Sequence, residues 1–144
     1  MEIDPVVEVR RATQQLSRRL RAERPVDGLS STKLAVLAQL LDYGPRTSGE
    51  LARHGRSTPQ ALTRSIDGLV RDGMVERQQA ENDKRQHMLT ITATGRAQLA
   101  KEAAPKDVWL DAAMTELLTP AERQVLTVAA GLMRRLADFD EGRG

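Results

Sequence analysis

The 144 residues contain no cysteine. That excludes a disulfide scaffold, a thiol redox switch, a Cys-ligated zinc and a thiol nucleophile. Aromatics are nearly absent: Tyr43, Trp109 and Phe139 are the whole set. So few rings argue against a base-stacking platform for single strands, and they leave the core to Leu, Val, Ile, Met and Ala. Histidine is confined to His54 and His87. Neither sits in an acidic cluster, so a metal site is not expected. No apolar run approaches the roughly 20 residues of a spanning helix, and the opening MEIDPVVEVRR does not read as a signal peptide. A cytoplasmic protein without a membrane partner is the expectation. The G-x-S-x-G, G-x-x-x-x-G-K-[ST] and H-E-x-x-H patterns are missing too, so no catalytic residue and no cofactor are expected.

What the chain does have is enough apolar content, 40%, to bury one ordinary core. Its net charge of +2 conceals an uneven distribution. Residues 46–101 carry ten basic and six acidic side chains, whereas residues 102–144 carry five basic and eight acidic. A basic centre beside an acidic tail points to a polyanion partner.

Hydrophobic spacing predicts a helix over 3–24, with Ile3, Val6, Val7, Leu16 and Leu20 recurring and arginines between them. A second helix follows a cap at Ser30 or Ser31 and buries Leu34, Leu37, Leu40 and Leu41 before Gly44-Pro45 stops it. Two short helices come next. Thr47 and Glu50 stand at capping-box spacing, and so do Ser57 and Gln60. Gly55 closes the first of the pair in a left-handed conformation, and the second runs with Pro59 in its first turn to Gly73. The period then changes from helix to strand. Met74–Gln78 and Gln86–Thr92 read as two strands of a hairpin whose polar tip is 80–85. A long helix capped by Thr92 or Thr94 starts near Gly95, with Pro105 expected to kink or interrupt it. Thr119-Pro120-Ala121-Glu122 restarts a last helix bearing Val125, Val128, Ala129, Leu132, Leu136 and Phe139.

The order helix, helix, turn, helix, hairpin is that of a winged helix-turn-helix in a mainly α fold. The decisive element is the helix after the turn. At 100° per residue, Leu62, Ile66, Leu69 and Val70 share one sector, while Gln60, Thr63, Arg64, Asp67 and Arg71 share the other. A helix in a major groove requires one packing face and one face able to hydrogen-bond. Its N-terminal half supplies the candidate DNA contacts Thr58, Pro59, Gln60, Thr63 and Arg64. Gln pairs with adenine, Arg with guanine, and a Thr or Pro carbon touches a thymine methyl. In the hairpin, Arg85 suits a narrow minor groove, Asp83 can orient it through an ion pair, and Lys84 can meet phosphate.

The run 57–77, with Leu69-x-x-x-Gly73-x-Val75-x-Arg77, then Asp83-x-Arg85, then Ile91-Thr92-x-x-Gly95, resembles the MarR family of bacterial transcription regulators. The resemblance implies a homodimer joined through terminal helices, and a recognition helix and wing from each subunit on a pseudo-palindromic double-stranded operator. It also implies release by a small aromatic or anionic effector. Residues 1–29 are then an N-terminal dimerisation helix, 30–94 the winged helix-turn-helix, and 95–144 a C-terminal helical dimerisation region, integrated in one domain. The lack of cysteine excludes the thiol-oxidation trigger of some members. Candidate effector contacts are Arg18, Arg19, Tyr43 and Trp109. A dimeric repressor is expected, since occluding a promoter needs only binding. The alternative is a winged-helix protein-interaction or ligand-binding module without DNA binding.

Overall fold

The computed structural model describes residues 1–55, 58–80 and 83–140, with only the backbone described for Ala80 and for 83–86. It comprises two compact units, Met1–Pro105 and Lys106–Gly144. In chain order the elements are α1 (Pro5–Arg21), α2 (Ser31–Tyr43), β1 (Arg46–Thr47), α3 (Ser48–His54), α4 (Pro59–Arg71), β2 (Val75–Ala80), β3 (Asp83–Ile91), α5 (Ala93–Leu117) and α6 (Pro120–Ala137).

Most helix starts follow from a short polar side chain that accepts an otherwise unpaired backbone N–H. Asp4 accepts from Val6, Ser30 from Lys33, Thr47 from Glu50, Thr58 from Ala61 and Thr119 from Glu122. Only Thr119 completes the reciprocal box, because the Glu122 side chain returns to the Thr119 N–H. The first helix is shorter than expected. Asp4 caps it at one end and it closes at Ala22, so Ile3 lies outside.

Two expectations are corrected in the helix pair. Ser57 lies outside the described residues, and the cap of α4 is Thr58. Pro59 then occupies the first helical position, where a missing N–H costs nothing. Gly55 is extended rather than left-handed, with φ −96° and ψ 155°; glycine permits a left-handed closure without requiring one. Among the described residues, the glycines at positive φ are Gly44 and Gly73. In α2 the core face is Val36, Leu37 and Leu40, while Leu41 is half exposed.

The winged core is aliphatic, as the scarcity of rings requires. Val36, Leu37 and Leu40 from α2 meet Leu51 of α3, Leu62, Ile66 and Leu69 of α4, and Val75, Leu89 and Ile91 of the sheet. Leu29, Val70, Met74 and Leu99 pack around them. Ten buried aliphatic side chains at about 1.5–3 kcal/mol each are a sufficient driving force for a small unit.

The sheet has three strands in the order β1-β3-β2, all antiparallel. The third strand, Arg46–Thr47, pairs with Met88 and Leu89. Two residues carry no period, so the sequence offers no signal for it. β3 starts at Asp83, so the polar tip is narrower than 80–85; Glu81 and Asn82 lie outside the described residues. The β2–β3 register runs from Val75 opposite Ile91 to Gln79 opposite His87, then slips so that Ala80 faces Asp83.

A clasp joins helix, sheet and helix. Gly73 closes α4 at φ +74°, with Gly73 N–H donating to Val70 O (3.1 Å) and Met74 N–H to Leu69 O (2.9 Å). The Thr92 hydroxyl donates to Gly73 O (2.6 Å) and accepts from Gly95 N–H (3.1 Å), so it ties the end of α4 to the start of α5. Gly95 allows this approach: a Cβ there would stand 2.3 Å from Met74 O.

Pro105 neither interrupts nor ends α5, which is one helix from Ala93 to Leu117. Proline removes a single backbone donor, and the many other hydrogen bonds of a 25-residue helix remain. Farther along, Arg123 of α6 donates to Thr115 (2.9 Å) and pairs with Asp111 (3.0 Å), which fixes the turn between α5 and α6. α1 and α6 bury no residue at all within the chain.

Candidate nucleic-acid interface

The interface is built on α4. Its inner face is anchored by Leu62, Ile66 and Leu69, each 7% exposed or less. That anchoring fixes the rotation of the helix and leaves Thr58, Pro59, Gln60, Thr63 and Arg64 all exposed on the outer side. Pro59, Gln60, Thr63 and Arg64 together line a shallow, open groove. The expected recognition residues are therefore brought together on one rigid element.

Each side chain presents distinct chemistry. Thr58 spends its oxygen on the Ala61 N–H (3.2 Å). The Thr63 hydroxyl donates to Pro59 O (2.9 Å), so its hydrogen is used inside the helix. Toward a ligand Thr63 offers its methyl and the acceptor side of its oxygen. Gln60 and Arg64 supply the amide and the guanidinium fork that read adenine and guanine edges. The positive end of the α4 dipole and its free N–H groups favour a phosphate nearby.

Asp67 lies on the same exposed side, and sequence reasoning gave it no partner. It accepts a hydrogen bond and ion pair from Arg77 of β2. Arg77 was visible only as part of a motif. Its pairing is a tertiary contact between a helix and a strand, which neither periodicity reveals.

Asp83, Lys84 and Arg85 belong to β3, but their side chains lie outside the described residues. The slip in register falls in this stretch, between the Gln79–His87 and Ala80–Asp83 pairs. Simple alternation is therefore not imposed on Asp83 and Arg85 by the ladder.

The effector candidates divide between the two units. Arg18 and Arg19 are exposed on α1, and Arg19 is paired with Glu23 at 2.7 Å. Tyr43 is half exposed at the end of α2, with the Arg46 guanidinium 4.3 Å above its ring. Trp109, half-buried, belongs to the second unit.

A further residue that sequence reasoning missed is Glu102. It is 3% exposed and accepts from Leu29 N–H (2.8 Å) and the Gln98 amide (3.0 Å). A Cβ at Gly28 would stand 2.4 Å from its Oε1. Arg24 holds the same loop through Leu29 O (2.5 Å) and Ser31 (3.0 Å). Among the described residues, no group of three or more His, Asp or Glu could hold a metal, and no helix is long and apolar enough to cross a membrane.

Known proteins share this arrangement. Residues 29–87 match the MarR family. An HTH-type transcriptional regulator of Mycobacterium bovis is 36% identical over 128 residues, 88% of either chain. The HTH-type transcriptional repressor YetL of Bacillus subtilis is 31% identical over 79% of this chain and 70% of its own. A crystal structure of a regulator protein from Pseudomonas aeruginosa superposes with a TM-score of 0.76 at 31% identity, covering 94% of both chains.

Proposed function

Since the chain belongs to the MarR family and is a DNA-binding transcription regulator, we propose that it works as a cytoplasmic homodimeric repressor on a pseudo-palindromic operator. The observation that carries this is the outer face of α4. Five exposed side chains suited to base edges and phosphate stand on a helix whose other face is locked into the core. Thr58, Pro59, Gln60, Thr63 and Arg64 enter the major groove. Arg85 enters the flanking minor groove, Asp83 orients it and Lys84 meets phosphate. Two copies spaced by one helical turn of DNA read the two half-sites.

Repression is favoured because occlusion needs nothing beyond binding, and the relative YetL carries the name repressor. No residue of the proposed interface has a catalytic role, and the protein acts as a regulator without turnover. A small aromatic or anionic effector lowers operator affinity; its candidate contacts are Arg18, Arg19 and Tyr43 in the first unit and, separately, Trp109 in the second. Such a ligand acts only through unequal affinity for the free and DNA-bound states.

The test is selection of binding sites from random duplex DNA with the purified protein, followed by titration of the recovered site at two salt concentrations. A palindromic consensus, with affinity falling as salt rises, supports the reading. Recovery of no consensus, with no duplex bound, defeats it in favour of a winged-helix module that binds protein or ligand alone.

A further inference from the structure

Asp67 poses an electrostatic problem. It lies on the exposed face of α4 between Arg64 and Arg71, the face assigned to the groove. A carboxylate there faces phosphates of its own sign, at a cost that low salt magnifies. Arg77 is the group that answers it. The guanidinium comes from β2, opposite Leu89 of β3, and forms an ion pair with Asp67. Neither side chain is withdrawn from solvent, at 41% exposed for Arg77 and 55% for Asp67. An exposed pair adds little to stability. Its position is more informative: it spans from the middle of the recognition helix to the root of the wing, across the Gly73 turn.

We propose that Arg77 is a positioning residue for DNA recognition that acts through Asp67 rather than by touching DNA. It cancels the one carboxylate that the described side chains place on this face of α4, and it sets the wing at a fixed angle to the helix. Arginine suits both tasks, because its planar fork holds a carboxylate in one orientation while an ammonium does not. The inference rests on the DNA-binding reading above.

A double-mutant cycle on the selected operator tests it, with Asp67→Asn, Arg77→Ala and the double variant titrated at two salt concentrations. Thermal unfolding of each is measured alongside. Arg77→Ala is expected to weaken binding about tenfold, because it leaves the carboxylate uncompensated. In the Asp67→Asn background the same change is expected to cost less than about threefold and to leave the salt slope unaltered. Arg77→Lys restores the charge without the fork, so it recovers part of the affinity. Protection of the flanking minor groove against hydroxyl radicals shrinks in both single variants.

Equal losses in the two backgrounds, with a salt slope reduced by about one, would show a direct phosphate contact and overturn the proposal. If Arg77→Ala melts below the titration temperature, Arg77→Lys with Asp67→Asn completes the same cycle, read the same way. Failure of the unaltered protein to bind any duplex overturns the regulatory reading instead, so the two failures are distinct.

Discussion

Arg64 stands one turn into α4, exposed, on the side away from Leu62 and Ile66. If it is bidentate to guanine, Arg64→Ala costs about 1–3 kcal/mol per half-site and relaxes preference at one base position. Operator titrations against single-base variants check this; a loss that is uniform across sequences reassigns Arg64 to phosphate. Asp83 gives a second prediction. An acid near DNA repels phosphate unless it serves another group. If it orients Arg85, Asp83→Ala weakens binding even though the wing becomes more positive. Tighter binding at both high and low salt would reduce the wing to a plain electrostatic arm. That Gln60, Thr63 and Arg64 stand together on the outward side of α4 was legible from residue type and spacing alone, because the apolar residues at helical spacing fix which side packs. The partners of Asp67 and Glu102 were not. Arg77 lies on another element, and the groups that Glu102 holds include Leu29, 73 positions away.

At the scale of elements, the caps came through the sequence most clearly, since a cap is a contact over three residues. Thr47 and Thr119 cap as their spacing predicts, and of the two candidate serines Ser30 caps α2. The spacing of Ser57 and Gln60 pointed to Ser57 for α4, whereas Thr58 caps it. Gly55 shows the same limit: glycine permits a left-handed turn but does not require one. The capping box of α6 also has a measurable consequence. The Thr119 backbone N–H, and then its hydroxyl, hold the exposed Glu122 carboxyl below its ordinary 4.5. A pKa lowered by folding contributes stability above the unfolded value, and that contribution disappears as pH falls through the lowered folded value. Unfolding followed across pH 3–6 (roughly the carboxylate range) is therefore expected to show a shallower acid loss for Glu122→Gln than for the unaltered protein. Identical profiles would mean that the Glu122 charge contributes nothing to folding.

For the whole molecule, the telling feature is apolar surface without a cover. Val6, Val9 and Leu16 of α1 are exposed, and so are Val125, Val128, Leu132 and Leu136 of α6, the last at 66%. Stripes of this length are a liability on a monomer and serve well between two copies. A stable dimer at micromolar concentration is expected in sedimentation. Leu132→Glu should shift it toward monomer while the winged core, which does not include Leu132, still melts cooperatively. A monomeric unaltered protein would refute this. The sequence by itself determined the order of the helices and the hairpin, the aliphatic core and the outward face of α4, because periodicity, capping and side-chain volume act over a few neighbouring residues. Only the tertiary structure decided that Arg46–Thr47 joins the sheet, that Gly95 must lack a Cβ beside Met74, and that Arg77 answers Asp67. Each of these depends on what distant segments bring within a few ångströms, and no local pattern encodes that.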